Sequence, residues 1–427
     1  MLGLLPAEYW DYRLSDLLRG LTATAKRRSQ NDRLHIDGIG NCIPARSART
    51  ALVAAIRALG LPHGSYIGVP LYCCPVVFKA VKAAGCAPRF IDVDPDTFSM
   101  SAQDLSAKRS QVDAIIAVHM FGNLCDVPTL QEAAKGKPLI EDCAQSLGSK
   151  LNGRMAGSLG DIAAFSFRSG KYLSVGEGGA LFSPNPDILS RLSCVISDMP
   201  IPSYASELIH VALTYIRTKL RSKPLYGILG YPLWSLYNRK VDYSAKSSIV
   251  LTQILKSDLA TTRRRLARLN FAIARQRANA GYYSRNLNLD PDMLCTERPK
   301  TFLNWYLYPI LFPSPEIRDS IAAYLFNRNI ATAKPYSDIA DIAFTHYGYS
   351  GDCPKAEEIA KTVLVIPNNH SLGEKETRHI ADCLNAGWSK YSSHIHRARP
   401  YTPTVHSRGG LTRAANALTT PHAESER

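Results

Sequence analysis

Lys171 and Asp142 are the two residues around which chemistry in this chain can be built. Lys171 lies in the stretch DIAAFSFRSGKYLSVGEGGALFS at 161–183, between an apolar run that carries Ser166 near its end and a second run at 180–183. Arg168, Ser169 and Gly170 precede it, and a glycine hairpin, Gly176-Glu177-Gly178-Gly179, follows. An amine held between two buried strands is desolvated and gives up its proton more readily than a surface amine. A lysine that forms a Schiff base needs that property. An exposed hairpin lysine is the other reading of the same stretch. Upstream, LIEDCAQSLG at 139–148 reads as a buried strand ending in Asp142, with the amide of Gln145 three residues on. A carboxylate at a strand's C-terminal end lies where open α/β sheets bind ligands.

A third element offers an anion site. Residues 50–59 carry Leu52, Ala55, Ile56 and Leu59 at helical spacing. With Ser47 as the N-cap, free backbone N–H groups at the helix start would cradle a phosphate. Gly38 and Gly40 invite a dinucleotide reading, but Ile43 holds the third glycine position and no acidic ribose partner is evident.

The elements that must position these residues alternate. Strands are expected at 66–70, 89–93, 112–119 and 138–142, with helices at 75–84 and 126–134, and this alternation over 34–183 predicts a mostly parallel sheet wrapped by helices. Residues 1–33 read as an amphipathic helical lead-in that serves packing or a dimer contact. Further on, 304–312 and 330–333 read as strands, 316–327 and 373–384 as helices, and the arginine-rich run from Arg263 to Arg277 as a helix with a solvated charged face.

The 427 residues suffice for two domains, or one large domain with additions. A hydrophobic content of 45% and a charged content of 20% are ordinary for a globular chain, whereas the net charge of +15 is not. Such a surface suits nucleic acid, an anionic membrane or a phosphorylated substrate. There is no zinc-finger spacing and no aromatic RNA-binding signature, so no nucleic-acid partner is expected. The ten cysteines include no C-x-x-C, which suits reduced thiols and a cytoplasmic location. Glu8 and Asp11 precede any basic cluster, against a secretory signal, and no run of eighteen apolar residues is present.

The pair of blocks EDCAQSLG and FSFRSGKYLSVGEGGA resembles the DegT/DnrJ/EryC1/StrS family of pyridoxal-phosphate (PLP) sugar aminotransferases, whose pattern is EDxAQxxG ahead of FSF…K…xGxGGA. SARTAL at 47–52 is similar to the family's SGTAAL, with Ala48 and Arg49 in place of glycine and threonine. His119 and Gly122 match VHxxG, and the resemblance extends over roughly residues 35–388. It implies an α/β fold of aminotransferase type I, with a mostly parallel central sheet and a smaller C-terminal α+β domain. The implied division is a lead-in at 1–33, a large PLP-binding domain at 34–196, an insertion at 197–245, a linking helix and small domain at 246–390, and a disordered tail at 391–427.

The resemblance also implies the roles. Lys171 would hold PLP and move the proton, and Asp142 would pair with the ring nitrogen. Gln145 would bond the phenolic oxygen, while Ser166 with Ser47, Ala48 and Arg49 would bind the phosphate. The family's ring-stacking aromatic falls at Cys74 here, with Tyr72 nearby. His119 lies near the cofactor without a proton role. The expected reaction moves an amino group, from glutamate, to a keto-sugar attached to a nucleotide, in a homodimer. A PLP-dependent sugar dehydratase and a catalytically silent relative are the alternatives. Residues 197–245 mix Tyr204, Tyr215, Tyr226, Tyr231 and Trp234 with Arg217, Lys219, Arg221 and Lys223. They read as a helical pair packed over the site or, second, as a peripheral membrane contact.

Overall fold

The computed structural model describes residues 3–29, 32–238 and 248–395; of the disordered tail expected from 391, residues 391–395 instead continue the last helix (Glu374–Ile395), and the rest lies outside the described residues. Eight strands form the central sheet: β1 (Leu34–Ile36), β2 (Gly40–Ala45), β3 (Tyr66–Pro70), β4 (Ala87–Ile91), β5 (Ala114–Val118), β6 (Leu139–Asp142), β7 (Ile162–Ser166) and β8 (Gly179–Phe182). Their spatial order is β1-β2-β8-β7-β6-β5-β3-β4. The run from β7 to β4 is parallel, and β8, β2 and β1 add to it antiparallel. The fold is therefore α/β with a mostly parallel sheet. β5 reads AIIAV and β6 LIED, every residue buried, as strands covered on both faces require.

From β3 the chain moves outward to β4, then crosses back to place β5 on the other side of β3. That reversal opens a crevice at the carboxyl ends of β3 and β5, where a doubly wound sheet takes its ligand. The loops entering it carry Tyr72 and Cys74 after β3 and His119 after β5, and Asp142 ends the neighbouring strand.

Helices sit where the caps put them. Ser47 accepts from the N–H of Thr50 and starts α2 (Ala48–Ala58), whose Ala51–Ile56 stretch is wholly buried. Asn185 caps α5 (Pro186–Ser197), and Asp126 caps α4 (Val127–Ala134), each with proline in the first turn; α1 (Leu14–Thr24) and α3 (Val76–Ala83) precede them. The insertion forms α6 (Tyr204–Leu220) and α7 (Tyr231–Asn238). The small C-terminal unit pairs β9 (Tyr308–Leu311) with β10 (Val363–Ile366), antiparallel.

Three expectations are corrected. Residues 3–13 are not helical: Leu5 forms a β-bridge to Ile330, and only α1 of the lead-in is a helix. The linking helix implied from 246 does not begin there: residues 248–255 are non-helical, and Gln253 donates to the carbonyls of Ser197 and Met199. The arginine run is broken into α8 (Lys256–Leu266) and α9 (Leu269–Asn286). Its Arg265 is buried, bonding Asp16 at 2.6 Å and the carbonyl of Leu173 at 2.8 Å, so this face is an internal charge contact.

Candidate active site

Asp142 is buried at the end of β6, with one carboxylate oxygen accepting from the N–H of Ala144 at 2.9 Å. The other oxygen makes no protein hydrogen bond among the described residues. Burial raises its pKa, and the Ala144 N–H and the charge of Lys171 pull against that rise. Lys171 follows the loop after β7, partly exposed at the cleft floor. Its amine stands 4.5 Å over the centre of the Tyr306 ring. Dehydration in the cleft, then the positive charge of Arg168, lowers its pKa to about 8. Lys171 and Asp142 each lie within reach of the other's charge.

Strand alternation separates Asp142 from its neighbour Glu141, which points to the opposite face. Glu141 accepts from the N–H groups of Gly157, Leu159 and Gly160 at 2.7–2.9 Å and meets His119 Nε2 at 2.9 Å. His119 Nδ1 accepts from the N–H of Cys125 at 3.1 Å, which leaves the ring proton on Nε2, toward Glu141. Burial would raise the Glu141 pKa, but His119 and the backbone donors outweigh it and the carboxylate is held below its ordinary range. His119 therefore stands behind the site, as a brace.

Gln145 Oε1 accepts from the Phe121 N–H at 3.0 Å, which aims its amide nitrogen at the hydroxyl of Tyr336, 3.5 Å away. Tyr72 is fully buried; its hydroxyl donates to the Pro335 carbonyl at 3.2 Å and its ring packs edge-on against Tyr336. Cys74 is partly exposed and lies within the fields of Lys171, Arg168 and Asp142. Of the two residues expected above the ring, Cys74 borders the cleft and Tyr72 lies in the core behind it.

Ser166, Gly179 and Ala45 are cross-strand neighbours on β7, β8 and β2, and a β-bridge joins Ser47 to Gly178. A Cβ on Gly179 would meet the carbonyl oxygen of Phe165 at 2.6 Å and the N of Ala48 at 2.8 Å, so only glycine lets the start of α2 come this close to Ser166. The N–H groups of Ala48 and Arg49 open the helix and have no intrahelical partner. The Arg49 guanidinium, by contrast, lies 3.7 Å from Glu177, whose other oxygen pairs with Arg46 at 2.7 Å.

Four contributors escaped the sequence reading. Tyr306 lies under Lys171 and donates to the carbonyl of Gly170 at 3.0 Å. Tyr336 is brought in from the small domain, and Glu141 looked like one more strand residue. The fourth is Glu8, in the segment read as packing: a Cβ on Gly170 would lie 2.7 Å from its carboxylate, and it shares a pocket wall with Lys171. The aromatic run NWYLYP around Tyr306 was the one signal available for these.

A buried carboxylate with one unbonded oxygen, an amine of low proton affinity within reach of its charge, and free helix-start N–H groups beside a serine fit a phosphorylated pyridine aldehyde. The fold and this site define a PLP-dependent enzyme of aminotransferase type. The family model described as the DegT/DnrJ/EryC1/StrS aminotransferase family matches residues 35–198 and 253–385, and the chain belongs to that family. It is 27% identical over 342 residues, 79% of this chain and 83% of the relative, to GDP-perosamine synthase of Escherichia coli O157:H7. It is also 27% identical over 356 residues, 82% and 85% of the two chains, to UDP-N-acetyl-3-dehydro-alpha-D-glucosamine 3-aminotransferase of Acidithiobacillus ferrooxidans. The sugar aminotransferase Spr1654 of Streptococcus pneumoniae, described as putative in its PLP-form structure, shares the fold at a TM-score of 0.72 and 17% identity, over 91% of this chain and 99% of that one. The family match skips 199–252, the stretch that contains the described helices α6 and α7.

Proposed function

We propose that this protein transfers an amino group from glutamate to a nucleotide-linked keto-sugar. The observation that carries this reading is that Lys171, whose amine is poised near neutrality, and the buried carboxylate of Asp142 lie within reach of each other's charge. PLP, when bound, supplies an electron sink that lets a proton leave the carbon bearing nitrogen. In this reading Lys171 accepts that proton and returns it, a task suited to an amine with pKa about 8. Asp142 uses its unbonded oxygen to keep the ring nitrogen protonated. The amide nitrogen of Gln145, held by the Phe121 N–H, donates to the phenolic oxygen. Ser166 and the N–H groups of Ala48 and Arg49 take the phosphate, with Cys74 bordering the ring. Arg49 contributes its backbone rather than its guanidinium, and Tyr72 acts by holding Tyr336. The basic chain, +15 overall, suits a diphosphate-bearing substrate. A homodimer belongs to this reading and is checked by analytical ultracentrifugation.

The test is spectroscopic. Protein purified with PLP should show an absorbance band that borohydride eliminates, and glutamate should convert the cofactor to its amino form. A nucleotide keto-sugar should then restore the original band, and a panel of such sugars identifies the substrate. A band that ignores glutamate but responds to the sugar alone assigns a dehydratase; no borohydride-sensitive band assigns a silent relative.

A further inference from the structure

Two helices of this molecule are inverted relative to the usual amphipathic pattern. α6 turns Glu207, His210, Thr214 and Thr218 inward, where Glu207 accepts from the Lys256 N–H and His210 pairs with Asp258 at 2.9 Å. Its apolar stripe, Ile209, Leu213 and Ile216, faces outward at 59%, 40% and 52% exposure. α1 repeats the arrangement: Asp16 is buried against Arg264 and Arg265, while Leu14, Leu18 and Leu21 are exposed. The two helices pack side by side, since a Cβ on Gly20 of α1 would touch Val211 of α6 at 3.1 Å. Leu225, Ile228, Leu229, Leu233 and Leu236 are exposed in the following segment. Scattered exposed leucines mean little, but stripes at i, i+4 and i+7 on adjacent helices form a contiguous apolar face.

Charge says what covers it. Between Glu207 and Asp242 the chain holds no acidic residue and six basic ones, Arg217, Lys219, Arg221, Lys223, Arg239 and Lys240, of which Lys223 is paired with Glu376 and Arg221 lies over the Trp10 ring. Beside α1 opens a pocket of about 400 Å³ whose lining includes Arg19, Lys26, Arg27, Lys256 and Arg263, with Asp32 its single carboxylate among the described residues. Asp32 is already paired with Arg263 at 2.7 Å. A second copy of this chain would set the same basic rim against itself, whereas anionic headgroups complement it. The helices are too short or too polar to span a bilayer: among the described residues none is long and apolar enough. We propose that the α1–α6 face, with the 225–236 segment, docks the enzyme on an anionic lipid surface, apolar stripes in the headgroup–acyl boundary and the basic pocket on lipid phosphates.

The test uses the full chain and vesicles of phosphatidylcholine with or without phosphatidylglycerol. Co-sedimentation is expected with the anionic vesicles and is expected to fall at high salt and with phosphatidylcholine alone. Replacing both stripe residues, Ile209→Asp with Ile216→Asp, should weaken binding at least about tenfold. Lys26→Glu with Arg27→Glu should do the same by charge, about fivefold or more per residue. Turnover measured without vesicles should be unchanged in both variants, which keeps this test separate from that of the reaction. Wild-type protein that stays in the supernatant with anionic vesicles overturns the proposal, as does binding that ignores both variants. Variants that change only the oligomer size assign the face to a second copy and overturn it too.

Discussion

Lys171 titrates at about 8 where a solvated lysine titrates at 10.5, because dehydration and Arg168 both disfavour its charge. Between those values the unfolded chain holds a proton that the folded cofactor-free protein has shed, so the contribution of Lys171 to stability rises with pH across that window, against the buried thiols and phenols, whose raised pKa values act the other way. Urea unfolding of the cofactor-free protein and of Lys171→Met across that window should show the stability of the wild type rising relative to that of the variant, since the thiols and phenols are common to both. Glu8 works in the opposite direction on the same amine, raising its proton affinity. Glu8→Gln is therefore expected to move the midpoint for acylation of Lys171, followed by mass spectrometry against pH, below about 8. Asp142→Asn keeps the shape and loses the charge; turnover should fall about 100- to 1,000-fold with the PLP-binding loops intact. At this scale Lys171, Asp142 and Gln145 were legible because each sits in a short local pattern. Tyr306, Tyr336 and Glu8 were not: they reach the cleft from distant parts of the chain, and nothing in their local spacing distinguishes them from core or surface residues.

Elements carry their own dependencies. Glu141 satisfies three backbone N–H groups and His119 in a fully buried position. Glu141→Ala would strand those donors, at a cost of about 3 kcal/mol or more, read as a lower urea midpoint at unchanged slope. Asp16, which joins α1 to α8 through Arg264 and Arg265, should behave similarly: Asp16→Ala leaves the buried Arg265 with two carbonyls and only the more distant carboxylate of Asp11, for about 3 kcal/mol. The caps at Ser47, Asp126 and Asn185 and the alternation of strand and helix were readable, since both follow from residue type and period. The direction in which α1 and α6 face was not. A 3.6-residue period reports that a helix has two faces, and here the inward carboxylates of Asp16 and Glu207 and the ring of His210 find partners on α8 that no local pattern encodes.

For the molecule as a whole, the sequence alternation predicted a mostly parallel sheet but not the spatial order of its strands or the antiparallel edge made by β8, β2 and β1, because register and order are set by packing between distant segments. The stretch from Leu5 to Asp11 shows one result of that packing. Leu5 is fastened to Ile330 in the C-terminal part of the chain, and the N–H of Asp11 to the hydroxyl of Ser174 in the loop between β7 and β8. Six peptide steps reach about 20 Å at full stretch. The N-terminal stretch of chain is thus a tether of fixed length, and it caps how far Ile330 and Ser174 can move apart while both fastenings hold.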